Sequence, residues 1–180
     1  MGRYDEAIAE RKRAQELDPL SPIISQSVAT ALFYARKYDD AIEQSKKTLQ
    51  MDANLPAAHW DLADGYVQKK RYPEAVAKWQ QALTLSGNSK LAATLGEAYR
   101  HSGFQGFLRT WTDYNSKDPW ADVHLYDVAR RFALMGKNDE TVSWLRKALA
   151  ARAGGMVYLK SDPAFVSLRS DTDFQTISIK

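Results

Sequence analysis

Arg36–Asp52, RKYDDAIEQSKKTLQMD, and Lys70–Ser86, KRYPEAVAKWQQALTLS, are two renderings of one phrase 34 residues apart. A third opens the chain as MGRYDEAIAERKRAQELDP. Tyr4, Tyr38 and Tyr72 keep the step of 34, and so do Ala7, Ala41 and Ala75, each set in Tyr-x-x-Ala-[Ile/Val]. A strict period of this length marks stacked supersecondary units rather than one closed core.

Working outward, each copy is preceded by an apolar trio: Val28-Ala29-Leu32, Leu62-Ala63-Tyr66, Leu95-Gly96-Tyr99 and Val128-Ala129-Phe132. Spacings of one and four place each trio on one helical face. The middle residue is always Ala or Gly, as a close helix crossing demands, because overpacking such a contact costs about 1 to 3 kcal/mol. The unit is a helix hairpin.

These residues resemble the tetratricopeptide repeat (TPR), with its small residue in the first helix, Tyr-x-x-Ala opening the second and an Asp-Pro close, matched by ELDPLSP at Glu16–Pro22. The resemblance covers about residues 2 to 150. It implies an all-α right-handed superhelix of stacked hairpins, an α-solenoid: a half repeat at 1–20, repeats at about 22–54, 56–87, 89–118 and 122–150, then capping helices at 151–180. The pattern frays at GFQGFLRTWTDYN, where Phe107 or Leu108 replaces the small residue, so this pair is splayed or packs its aromatics elsewhere. Thr141 takes the place of the alanine in the last hairpin.

Gly2–Leu17 reads as the second helix of a hairpin that lacks its first, leaving the face of Tyr4, Ala7 and Ile8 short of a neighbour. Two expectations follow: that residue 1 is a cut or truncated start with repeats or another domain upstream, and that the chain dimerises through this helix. In the tail, Ser161-Asp162 before Pro163 and Asp171 before Phe174 are helix starts, with Phe165, Leu168, Phe174 and Ile177 as apolar faces. The tail looks like the ending of bacterial repeat modules appended to signalling proteins. That resemblance implies, as an alternative function, a sensory or regulatory segment of a membrane-anchored winged-helix regulator or Ser/Thr kinase, acting by packing on upstream domains of the same chain.

Composition narrows the chemistry. The chain has no cysteine, hence no disulfide, thiolate metal site or cysteine nucleophile. The net charge of +3 and pI near 9.0 come from short basic clusters interleaved with carboxylates, with no basic, aromatic-studded stripe, so no direct nucleic-acid contact is expected. No apolar run approaches the roughly 20 residues of a membrane span, so no membrane contact by this segment is expected. The sequence leaves the compartment open: a soluble segment, cytoplasmic by preference and periplasmic if its parent is membrane-anchored. His59, His101 and His124 fall in different hairpins as solvated helix residues, and Asp61 with Asp64 reads as a solvated acidic patch. Gly103 and Gly106 flank a turn and cradle no phosphate. No catalytic residue, metal ligand or cofactor site is expected.

The remaining candidate is the groove of the superhelix, taken to be lined by the side of each first helix opposite its packed trio. That side carries Gln26, Thr30 and Phe33, then Trp60, Asp64 and Val67, then Glu97 and Arg100, then Tyr126 and Arg130. Trp60 suits an interface anchor or packs on the neighbouring helix. Arg100 and Arg130 suit a ligand carboxylate or pair with Glu97 and Asp127. Lysine and asparagine clamp positions of the chaperone-tail-binding members are occupied by Gln26, Thr30 and Asp64, which argues against that ligand. The expected function is a non-catalytic protein- or peptide-binding scaffold.

Overall fold

The computed structural model describes residues 4–116 and 121–179, and every regular element among them is helical. The elements are α1 (Tyr4–Leu17), α2 (Pro22–Tyr34), α3 (Tyr38–Met51), α4 (Pro56–Gln68), α5 (Tyr72–Leu85), α6 (Ser89–Ser116), α7 (Ala121–Leu134), α8 (Asn138–Ala150) and α9 (Thr172–Ile179), with 3₁₀ turns at Gly154–Tyr158 and Pro163–Leu168. The chain is thus an all-α array of stacked helix hairpins. The start of the half repeat at residues 1–3 and the repeat boundary near 118 lie outside the described residues.

The helices end where the sequence supplies a stop. At the close of α2, α4 and α7 the amide of Lys37, Arg71 or Lys137 donates to the carbonyl of Leu32, Tyr66 or Phe132, the long-range bond of a Schellman cap. That cap needs a left-handed residue just before it, and Arg36 (φ 63°), Lys70 (φ 58°) and Gly136 (φ 75°) supply it at the repeat spacing. The same position in α6 is Gly103 (φ 61°, ψ −160°), which breaks the helix without a connecting loop. Gly106, expected to flank a turn with it, is instead buried inside the helix.

The molecule divides into two compact units, 1–97 and 98–180, the division falling within α6. In the first unit consecutive helices pack pairwise and α2 also touches α4, so each first helix meets the next first helix as well as its own partner. The small positions sit where the crossings are: Ala29, Ala41, Ala63 and Ala75 are buried. Gly65 adds a contact the repeat pattern does not mark, because a Cβ there would lie 2.8 Å from Ile42 of α3. Ile8 of α1 packs with Val28, Leu32 and Phe33, so the face expected to lack a neighbour is covered by α2.

In the second unit Phe107 and Leu108 are buried, Phe107 meets Trp111 edge-on at 5.4 Å, and the Arg131 guanidinium lies 4.7 Å over the Trp111 ring. The bulky residues of α6 therefore build a core of their own. The tail closes the far side of α7 and α8. Phe165, Leu168, Phe174 and Ile177 are all buried there, against Leu125, Ala129 and Leu145.

Candidate functional site

The residues expected on the groove-facing sides divide into distinct environments. Gln26 Nε2 donates to Asp61 Oδ2 at 2.6 Å and Thr30 Oγ1 to the same oxygen at 2.9 Å. These two side chains form a polar seam from α2 to α4. Asp61 is accordingly not part of a solvated acidic patch. Phe33 and Val67 are buried, Phe33 against Tyr34 and Tyr38. Trp60 and Asp64 are half-buried, while Glu97 and Arg100 are exposed.

Tyr126 and Arg130 are occupied by the tail. Tyr126 Oη donates to Asp162 Oδ2 at 2.9 Å, and Arg130 Nε stands 2.9 Å from the same oxygen. Asp162 is fully buried, and its Oδ1 accepts the amide of Ala164, the cap foreseen before Pro163. Gly155 lies flat on the Tyr126 ring, where a Cβ would strike Tyr126. The expectation that Gln26, Thr30, Phe33, Val67, Tyr126 and Arg130 present their side chains to a ligand is therefore corrected. In a stack, the side of a first helix opposite its trio faces the next first helix or the cap.

The open surface belongs to a second helix. A groove of about 570 Å³ runs between α5 and the start of α6, walled by Ala53 and Asn54 of the α3–α4 turn and by His59. Ala77, Gln81 and Thr84, spaced four and three apart, form one exposed stripe of α5 along it. Ser89, Ala92 and Ala93 face them from α6. The volume falls within the roughly 300–1,000 Å³ range of ligand pockets. None of the lining side chains is a carboxylate, lysine or arginine.

The floor is fixed by hydrogen bonds. Gln80 Nε2 donates to the Ala92 carbonyl at 2.8 Å, tying α5 to α6, and Thr84 Oγ1 donates to the Gln80 carbonyl at 2.8 Å. Gly96 makes room for this bridge, since a Cβ there would fall on the Gln80 amide. Here the small middle residue of the trio serves a side chain rather than a helix backbone. At the rim, Lys78 Nζ donates to Gln81 Oε1 at 2.8 Å.

His59, expected in solvent, is buried, and its Nε2 lies 3.0 Å from the Ala53 carbonyl. With Nε2–H donating there, Nδ1 is an acceptor enclosed without a hydrogen-bond donor. The bond pins the turn that forms one wall of the groove. No group of three or more His, Cys, Asp or Glu among the described residues could hold a metal ion. No described helix is long and apolar enough to cross a membrane.

No family model matches the sequence, and no curated protein matches it. Among solved structures the chain is similar to YrrB, described as a TPR protein with an unusual peptide-binding site, at 17% identity and a TM-score of 0.47, over 93% of this chain and 88% of that one. At that identity and score the likeness carries no argument about what this chain binds.

Proposed function

We propose that the chain is a non-catalytic scaffold that holds a protein or peptide segment, and that an uncharged, extended stretch of the partner lies in the groove between α5 and the start of α6. The observation that carries this reading is the lining itself: three carboxamides, two hydroxyls and four alanines, with no ionisable group but His59. Carboxamides pair with peptide N–H and C=O groups without regard to side chain, and alanines let a main chain approach closely. The same lining offers no nucleophile with a partnered base, and no paired carboxylates. Trp60, Asp64, Glu97 and Arg100 remain proposed secondary contacts on the first helices.

The test selects from a random peptide library displayed on phage. Enrichment of peptides with neutral cores, bound at least tenfold more weakly by Ala93→Trp and little changed by Ala93→Ser, supports the reading. Ala93 and Ala77 are exposed, so either can be enlarged without entering the core. Peptides that bind Ala93→Trp and Ala77→Trp as well as wild type overturn the assignment of the groove.

A further inference from the structure

Two exposed apolar patches sit on different units, and the charges around them have opposite sign. The first lies at the α1–α2 turn, where Leu17 and Leu20 are each 83% exposed and Ile23 is 62% exposed. The turn is tight, with the Asp18 amide on the Ala14 carbonyl and the Ser21 amide on the Asp18 carbonyl, so the three side chains stand close together. Leu17 shares its repeat position with Met51 and Leu85, yet those are only 42% and 39% exposed. From Ala14 to Ala35 the chain carries Glu16 and Asp18 and no lysine or arginine; Arg13, one helical turn before Leu17, is the nearest cation along the helix.

The second patch is on the tail, where Val157 is 77% exposed and Val166 44% exposed. From Ala151 to Ser170 the charges are Arg152, Lys160, Arg169 and Asp162. Asp162 is fully buried, while the three cations are exposed. Arg169 donates to the Lys160 carbonyl at 3.1 Å, which brings the Val157 and Val166 segments side by side. The tail therefore shows water an apolar patch with a cationic rim only.

Large exposed aliphatics gathered on one turn are uncommon on a soluble monomer, and contiguous apolar patches of a few hundred Å² are often functional. We propose that the two patches are complementary halves of a head-to-tail contact, in which the α1–α2 turn of one copy seats on the 154–169 segment of a second copy. Leucines and isoleucine meet valines at the centre, and Glu16 and Asp18 meet the rim of Arg152, Lys160 and Arg169. Opposed fields of this kind steer association and fix orientation more than they add affinity. The contact is heterologous: each copy keeps one used and one unused half. This differs from a dimer through Tyr4 and Ile8, whose face α2 already covers, and it does not rest on the groove.

The experiment is sedimentation velocity on the 180-residue chain over a wide concentration range, at low and at high salt. Wild type is expected to associate with concentration, at least tenfold more weakly in high salt. The variant Leu17→Gln/Leu20→Gln, with its head disabled, and the variant Val157→Gln/Val166→Gln, with its tail disabled, are each expected to lose association at least tenfold. All four substitutions are at solvent-facing positions, and circular dichroism checks that each variant is folded. Mixing the two variants is the deciding measurement, because the intact tail of one fits the intact head of the other. A 1:1 complex that grows no further is expected. A wild type that stays monomeric at the highest attainable concentration overturns the proposal, as does a mixture that fails to associate while wild type does, which would mean a symmetric contact. Binding of a monomeric wild type to phosphatidylserine vesicles, lost in Val157→Gln/Val166→Gln, would assign the tail patch to a membrane and overturn it too.

Discussion

Replacing Asp162 should release the tail. Its carboxylate is wholly buried and serves three partners: Tyr126 Oη and Arg130 Nε on Oδ2, and the Ala164 amide on Oδ1, each at 2.9 Å. Breaking a buried ion pair by removing one partner costs about 3 to 5 kcal/mol. The Arg130 side chain keeps 20% of its exposure, so water recovers part of its charge and the low end, about 3 kcal/mol, is expected. Asp162→Asn should cost nearly as much as Asp162→Ala: with its oxygen kept on the Ala164 amide, its NH₂ would face the Tyr126 hydroxyl and the Arg130 N–H, setting donor against donor. Tyr126→Phe removes one hydrogen bond, for about 1 kcal/mol, and most of that cost should vanish in the Asp162→Ala background. The assay is amide hydrogen exchange at neutral pH, because an array opens locally at its ends before it unfolds globally. A loss of about 3 kcal/mol speeds exchange of the Phe165 and Leu168 amides roughly a hundredfold when they exchange through tail opening. Exchange within threefold of wild type in Asp162→Ala, or no different from the exposed control Lys160→Ala, would refute the reasoning.

Gly96→Ala should leave thermal stability within about 1 kcal/mol of wild type, because the lost Gln80 bridge to Ala92 and the gain in helix propensity are each about 1 kcal/mol and opposite in sign. The same variant should still weaken binding of groove-selected peptides severalfold, a split visible by comparing melting with titration calorimetry. Asp127 gives a pH dependence: desolvation alone would raise its pKa, but the His124 hydrogen bond together with Arg131 and Arg130 outweighs it and holds the group below its ordinary 3.8. A depressed folded pKa stabilises above the unfolded value and loses that contribution as pH falls through the folded one, so the second unit should weaken below about pH 4. In His124→Ala that acid-induced loss should be smaller, as followed by urea midpoints across the acid range.

The hairpins were legible because period, small residues and turn residues all report the same local contacts. A step of 34 can arise only if each unit repeats its own packing, and Ala41, Ala63 and Ala75 lie in the core as that logic requires. The cap at Asp162 was legible for the same reason, since a side-chain cap before proline is a local event. The direction of the open face was not. Helical spacing shows which residues share a face with Val28 and Leu32, but it does not say how many neighbours a helix has. A helix inside a stack is covered over a wide arc, so Gln26 and Thr30, opposite the trio, meet α4 instead of solvent. His59 was missed because its partner is a backbone carbonyl in the preceding turn, which has no signature in side-chain sequence. The groove did leave a signal: Ala77, Gln81 and Thr84 make a small, uncharged stripe on a helix whose other exposed positions include Glu74 and Lys78.

The tail explains why Tyr126 and Arg130 looked like binding residues. Across the array, residues four apart on a first helix grip a carboxylate on whatever stacks next. Gln26 and Thr30 hold Asp61, and Tyr126 and Arg130 occupy the corresponding places on α7 and hold Asp162. The element bearing Asp162 is a 3₁₀ turn rather than a helix, so the tail copies the polar contact of a further repeat without its length. The partners differ in strength accordingly. An amide and a hydroxyl suffice for Asp61, which sits on a full helix with its own packing; Asp162, on a six-residue turn with little packing area, is met by a guanidinium and a phenol. A charged, buried contact on so short an element sets one register for the cap, because sliding it by one residue would bury the carboxylate without either partner. The inner face of the last first helix is therefore closed by the chain itself, and the surfaces left to other molecules are the α5 groove and the apolar patches of the α1–α2 turn and the tail.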